Sequence, residues 1–104
     1  MKLKDIVNYA ESLKEMSKEM GLSISIKSTP DMCHVEIGKY VYDKNYKTIF
    51  YAIYDFWYFS SGRKSYEYIA ADKESIICRE QLNSAEDFDL ERIEKEYENW
   101  ANIN

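Results

Sequence analysis

Lys47-Thr-Ile-Phe-Tyr-Ala-Ile-Tyr-Asp-Phe-Trp-Tyr-Phe59 is a thirteen-residue run built almost entirely of aromatic and β-branched side chains. Such side chains suit a pleated, half-buried surface, so the composition favours a strand. Neither alternate set of positions is polar throughout, which places the strand centrally or covers it on both sides. Thirteen residues are long for one strand, so a bulge or bend is expected within it. A helix ending at Gly62 is the competing reading of the same letters.

The flanking segments favour the strand. Upstream, Cys33, Val35, Ile37, Lys39 and Val41 alternate with His34, Glu36, Tyr40 and Tyr42, the period-two pattern of a strand from Cys33 to Tyr42. Before it, Leu22, Ile24 and Ile26 alternate with Ser23, Ser25 and Lys27, and Ser28-Thr29-Pro30-Asp31 is a turn signal between the two. Downstream, Ser60-Ser61-Gly62-Arg63 turns the chain into a strand over Ser65–Ala70 with Tyr66 and Tyr68 on one face. Asp72-Lys73-Glu74 turns it again into a short strand over Ser75–Arg79.

Helical periodicity is confined to the two ends. Leu3, Ile6, Val7, Ala10, Leu13, Met16 and Met20 form an apolar stripe over residues 3–20, and Gly21 suits a left-handed helix end. A second helix is expected to begin at Asn83 or Ser84, with Ser84 and Asp87 as a capping box and Leu90, Ile93, Tyr97, Trp100 and Ala101 as its apolar stripe. Short turns between sequential strands imply an antiparallel arrangement. The expected fold is α+β: a four- to five-stranded antiparallel meander with the N-terminal and C-terminal helices packed on one face, forming a single domain over residues 1–104.

Charge narrows the functional classes. The chain has 14 Lys and Arg against 19 Asp and Glu, a net charge of −5. Residues 83–104 hold seven acids (Glu86, Asp87, Asp89, Glu91, Glu94, Glu96, Glu98) and two bases (Arg92, Lys95), so the whole imbalance sits in the closing segment. That disfavours direct nucleic-acid binding, which needs clustered Lys and Arg. No apolar run approaches the ~20 residues of a membrane-spanning helix. The opening residues turn polar at once, without the apolar core of a secretory signal. A cytoplasmic chain with reduced Cys33 and Cys78 is therefore expected.

Reactive constellations are sparse. His34 is the single histidine, and its alternation with strand positions suggests an exposed or edge-strand residue. Cys33, His34 and Cys78 could supply three metal ligands, but adjacent strand residues point to opposite faces, so no metal is expected there. The three glycines stand apart, which excludes a Gly-rich phosphate loop, and Ser60-Ser61-Gly62 is not a nucleophile elbow. Asp55 interrupts an apolar alternation and must find donors; a tyrosine hydroxyl is the expected one. No catalytic residue and no cofactor are expected.

Twelve of the sixteen aromatic residues fall between Tyr40 and Tyr68. Tyr and Trp are enriched where one end of a side chain is apolar and the other wet, as at protein interfaces. The expected partner-binding residues are Asp87, Glu91, Glu94 and Glu98 for steering, with Tyr54, Trp57, Tyr58, Tyr66 and Tyr68 as anchors. The size, the helix–sheet–helix order, the stretch Ile49-Phe-Tyr-Ala-Ile-Tyr-Asp-Phe-Trp-Tyr and the acidic segment Ser84–Trp100 together resemble the small immunity proteins of bacterial contact-dependent inhibition and other polymorphic toxin systems. The resemblance implies a chain that neutralises one cognate toxin domain, basic and often a nuclease, by occluding its active site. An acidic secretion chaperone is the alternative, and a small enzyme using Asp55, His34 and a tyrosine is a second one.

Overall fold

The aromatic run is a strand. A computed structural model describes residues 3–15 and 17–103, and in it β3 spans Thr48–Phe59. Four further strands surround it: β1 (Ser23–Ser28), β2 (Met32–Tyr42), β4 (Lys64–Asp72) and β5 (Ile76–Gln81). They form one antiparallel sheet in the order β1-β2-β3-β4-β5, the expected meander with β3 at its centre. The bulge lies at the start of β3: Val41 faces Phe50 but Tyr42 faces Thr48, so Ile49 is the extra residue.

Alternation along β3 sorts its side chains into two faces. Phe50, Ala52, Tyr54, Phe56 and Tyr58 are buried, and across β2 they meet Val41, Lys39, Ile37, Val35 and Cys33. This face carries the helices. Ile6, Ala10 and Leu13 of α1 (Leu3–Lys14) and Ile93 of the C-terminal helix join the same core cluster. The opposite face, with Tyr51, Ile53, Asp55 and Trp57, has none of the described helices packed on it. Ile93 is fully buried, and burial of a side chain this size stabilises by roughly 1.5–3 kcal/mol.

Both helical ends depart from expectation. The helix expected over residues 3–20 is two: α1 ends at Lys14 and α2 covers Ser17–Met20. Ser17 Oγ donates back to the Lys14 carbonyl at 2.7 Å, a local bond that competes with helix continuation. Gly21 then ends α2 with φ 67°, the left-handed cap its position suggested. Met16 and the side chain of Leu3, both expected on the stripe, lie outside the described residues.

At the C-terminal end the capping box forms, but on a 3-10 turn, Ala85–Asp87. Ser84 Oγ accepts from the Glu86 amide, and the Asp87 carboxylate accepts from the Asn83 and Ser84 amides. Phe88 is extended, which interrupts the helix. Its ring reaches the core, with its centroid 4.8 Å from that of Tyr54. The α-helix proper, α3, runs Leu90–Ile103, with the Asp89 carboxylate accepting from the Glu91 amide at its start.

Candidate functional site

The acids of α3 are spaced to share a face. Glu91, Glu94 and Glu98 stand three and four residues apart, and with Leu90, Lys95 and Met20 they line an open groove of about 390 Å³ between α2 and α3. Leu90 and Met20 are partly buried and supply its apolar element. Glu94 is tied down: Lys39 Nζ donates to it at 3.3 Å and also stands 4.3 Å from the Tyr97 ring centroid. Glu91 and Glu98 are exposed. Asp87 does not join them, because its carboxylate serves the cap. Three of the four expected steering acids therefore converge on one groove, and the fourth is structural.

The expected anchors divide differently. Tyr54 and Tyr68 have no exposed surface and Tyr58 retains 6%. All three lie between the sheet and the helices. They are core residues, which corrects their assignment as contact residues. The reason is parity, since even positions of β3 and β4 face the layer that α1 and α3 cover. Tyr66 is half-buried on that same face, edge-on to Phe56 and Tyr58. Trp57 is on the opposite side of the sheet from α3. The aromatic band and the acidic helix thus do not form one continuous surface.

Burial raises the phenol pKa of Tyr54, Tyr58 and Tyr68 above the usual value, and for Tyr68 the neighbouring Glu96 adds to it. The Tyr68 hydroxyl donates to Glu96 at 3.2 Å, under an Arg92 guanidinium 4.0 Å from its ring centroid. Burial works against the charge of Arg92, but its ion pair with Glu80 at 2.6 Å more than offsets this and its pKa rises. The hydroxyls of Tyr54 and Tyr58 are shut off from solvent and close no hydrogen bond of good geometry. Polar groups of Asp89 and Arg92 surround the first, and Tyr66 the second, without aligning to it.

On the open face the register assembles a polar cluster around His34 and Asp55, the pair named in the small-enzyme alternative, and adds Glu36 and Trp57, which sequence reasoning did not place there. His34 pairs with Trp57, Glu36 with Asp55 and Tyr40 with Tyr51 across β2 and β3. His34 Nε2–H donates to Asp55 Oδ1, and the Trp57 indole N–H donates to Asp55 Oδ2 at 3.0 Å. A carboxylate only accepts, so the contact places the proton on Nε2. The imidazole stacks on the indole at 3.8 Å and 13°. Tyr40 donates its hydroxyl to Glu36. Burial and Glu36 together raise the Tyr40 pKa.

Two expectations are corrected here. His34 is neither exposed nor on an edge strand: β2 lies between β1 and β3, and the side chain keeps 13% exposure. Asp55 finds its donors in His34 and Trp57 instead of a tyrosine. The period-two pattern placed His34 and Glu36 on one side, but nothing local to either strand indicated that Asp55 would stand opposite Glu36. Cys33 turns to the helix face, where burial pushes its thiol pKa up, so it and His34 do diverge. Two further hollows, one under Trp100 and Asp72 and one beside Thr29 and Tyr58, do not include His34 or Asp55. No helix among the described residues is long and apolar enough to cross a membrane. No protein-family model, curated protein or solved structure matches the chain.

Proposed function

We propose that this chain is a binding protein of the immunity type, which docks on a basic toxin domain and blocks access to its active site. What supports the reading is the groove between α2 and α3, where Glu91, Glu94 and Glu98 flank the apolar side chains of Met20 and Leu90. An apolar seat with an acidic margin fits a basic, amphipathic element of a protein partner. Carboxylates there stand in for the phosphates that a nuclease site is built to hold. Charge attraction speeds encounter, and apolar contact in the groove slows dissociation. No side chain is assigned a catalytic role, and no nucleic acid or cofactor is required.

The test is co-expression with the variable C-terminal domain of an exported protein encoded immediately before this chain. The expected result is protection from that domain's toxicity and a stable complex on purification. Absence of such a reading frame, or failure to form a complex, overturns the immunity assignment. Reversal of Glu91 and Glu98 to Lys leaves the Lys39–Glu94 pair intact, so the fold is retained. Steering contributes ~10- to 1,000-fold to association rates; the reversal is therefore expected to slow association at least about tenfold at low salt. An unchanged rate refutes the groove as the docking face. Light scattering separates the secretion-chaperone alternative, which requires a stable dimer of the free chain.

A further inference from the structure

We propose that His34, Glu36 and Asp55 form a binding site for a borderline divalent transition-metal ion of the Zn²⁺ class, on the open face of the sheet. One ligand atom from each of the three lies within 4.8 Å of the others. Zinc bonds to imidazole nitrogen and carboxylate oxygen are ~2.0–2.2 Å long. Ligand atoms around one such ion therefore stand roughly 3.3–3.6 Å apart, and small side-chain rotations close the difference. His34 and Glu36 are two residues apart on β2, and Asp55 is directly across from Glu36 on β3. All three side chains thus come from paired, central strands, not from a mobile loop.

A separate observation points to a cation. Glu36, Asp55 and Glu67 form a row across β2, β3 and β4, each acid directly opposite the next. Like charges in that position destabilise a sheet. Glu67 is answered by Arg79 from β5. Glu36 and Asp55 have only the His34 imidazole, the Trp57 indole N–H and the Tyr40 phenol as described side-chain partners, with no Lys or Arg ion pair among the described residues. A divalent ion would neutralise the pair. On binding at Nε2 the imidazole stays neutral, its proton passing to Nδ1 by exchange with solvent, so that Glu36 and Asp55 balance the charge of the ion.

Both carboxylates already have an outer hydrogen bond of the kind that orients metal ligands, and the imidazole is held by stacking. The Trp57 indole N–H holds Asp55 Oδ2 and its ring fixes the plane of His34; the Tyr40 hydroxyl holds Glu36. Such partners orient ligands and raise affinity. The donor set selects the ion. Imidazole disfavours Ca²⁺ and Mg²⁺, which prefer all-oxygen cages, and the lack of thiolate disfavours Cu⁺. Three protein ligands leave at least one position for water. The site is on the opposite side of the sheet from the α2–α3 groove, so it stands or falls independently of the docking proposal.

The experiment titrates the full chain with Zn²⁺ against a chromophoric chelator, and with Co²⁺ followed by visible absorption and tryptophan fluorescence. One equivalent is expected to bind with a Kd below about 10 µM. His34→Gln and Asp55→Asn should each weaken it at least about tenfold, while the Cys33→Ser/Cys78→Ser double variant binds unchanged. Bound Co²⁺ should show d–d bands without thiolate charge transfer. It should quench Trp57, so that most of the quenching disappears in Trp57→Phe while Trp100 still emits. That last comparison keeps all three ligand side chains in the chain and, read at Co²⁺ concentrations where the d–d bands are saturated because Trp57 also orients Asp55 and His34, decides the question if a ligand variant does not fold. Weaker binding, a thiolate band, loss of binding only in the cysteine variant, or quenching that survives Trp57→Phe overturns the proposal.

Discussion

Gly38→Ala tests the sheet register on which the open-face cluster depends. Gly38 is in the interior of β2, directly opposite Ile53 of β3. A methyl group built on it would stand 2.3 Å from the Ala52 carbonyl oxygen, 2.4 Å from Ile53 Cγ2 and 2.6 Å from Ile53 Cα. Two of those three atoms are backbone of the central strand, which is bonded on both sides, so the conflict cannot be relieved by a side-chain rotation. Overpacking costs about 1–3 kcal/mol and sometimes more. The backbone nature of the clash puts this site at the upper end. Against that stands a gain of roughly 0.5–1 kcal/mol from replacing Gly in regular structure. The net expectation is a loss of about 2–3 kcal/mol, which for a domain of this size lowers Tm by roughly 10–20 °C. Urea unfolding followed by circular dichroism, together with a thermal melt, measures it. Glu36 and Asp55 are two residues from the clash, so the metal affinity should fall in the same variant. A change within about 0.5 kcal/mol, the range of a neutral surface substitution, would mean that β3 does not pass over Gly38 in this register.

Two further outcomes concern the buried rings. Tyr54→Phe and Tyr58→Phe remove hydroxyls that are enclosed without a well-formed hydrogen bond, so each should be neutral or stabilising by up to about 1 kcal/mol. Tyr68→Phe removes the bond to Glu96 and should cost about 1 kcal/mol; chemical denaturation that gives the reverse order would contradict the packing. The raised phenol pKa values of Tyr54, Tyr58 and Tyr68 set the alkaline limit. The unfolded chain releases these protons near pH 10 while the folded chain retains them, so stability is full below about pH 10 and falls as pH rises above it. Each such group steepens the fall by up to about 1.4 kcal/mol per pH unit. Absorbance of phenolate should show these tyrosines ionising together with the loss of circular dichroism, and ionisation that precedes unfolding would refute their burial.

The α+β meander was legible in the sequence because its signals are local. Alternation in Cys33–Tyr42, punctuation at Ser28–Asp31 and Ser60–Arg63, and helical stripes at either end each depend on residues within a few positions of one another. Parity also placed Tyr66 with Tyr68, and Cys33 opposite to His34. The breaks in the two helices escaped because each has a particular cause. Ser17 bonds backward to Lys14, and Phe88 leaves the helical path to reach Tyr54.

Tertiary structure alone decided which face of β3 the helices cover, and so whether Tyr54, Tyr58 and Tyr68 or Trp57 meets solvent. It alone brought Asp55 beside His34 and Glu36, and Met20 beside the acids of α3. Both are relations between residues 19 or more positions apart. Alternation states which residues share a face of their own strand. It does not state which face the core takes, nor which residue of the next strand stands opposite, because those follow from packing between elements.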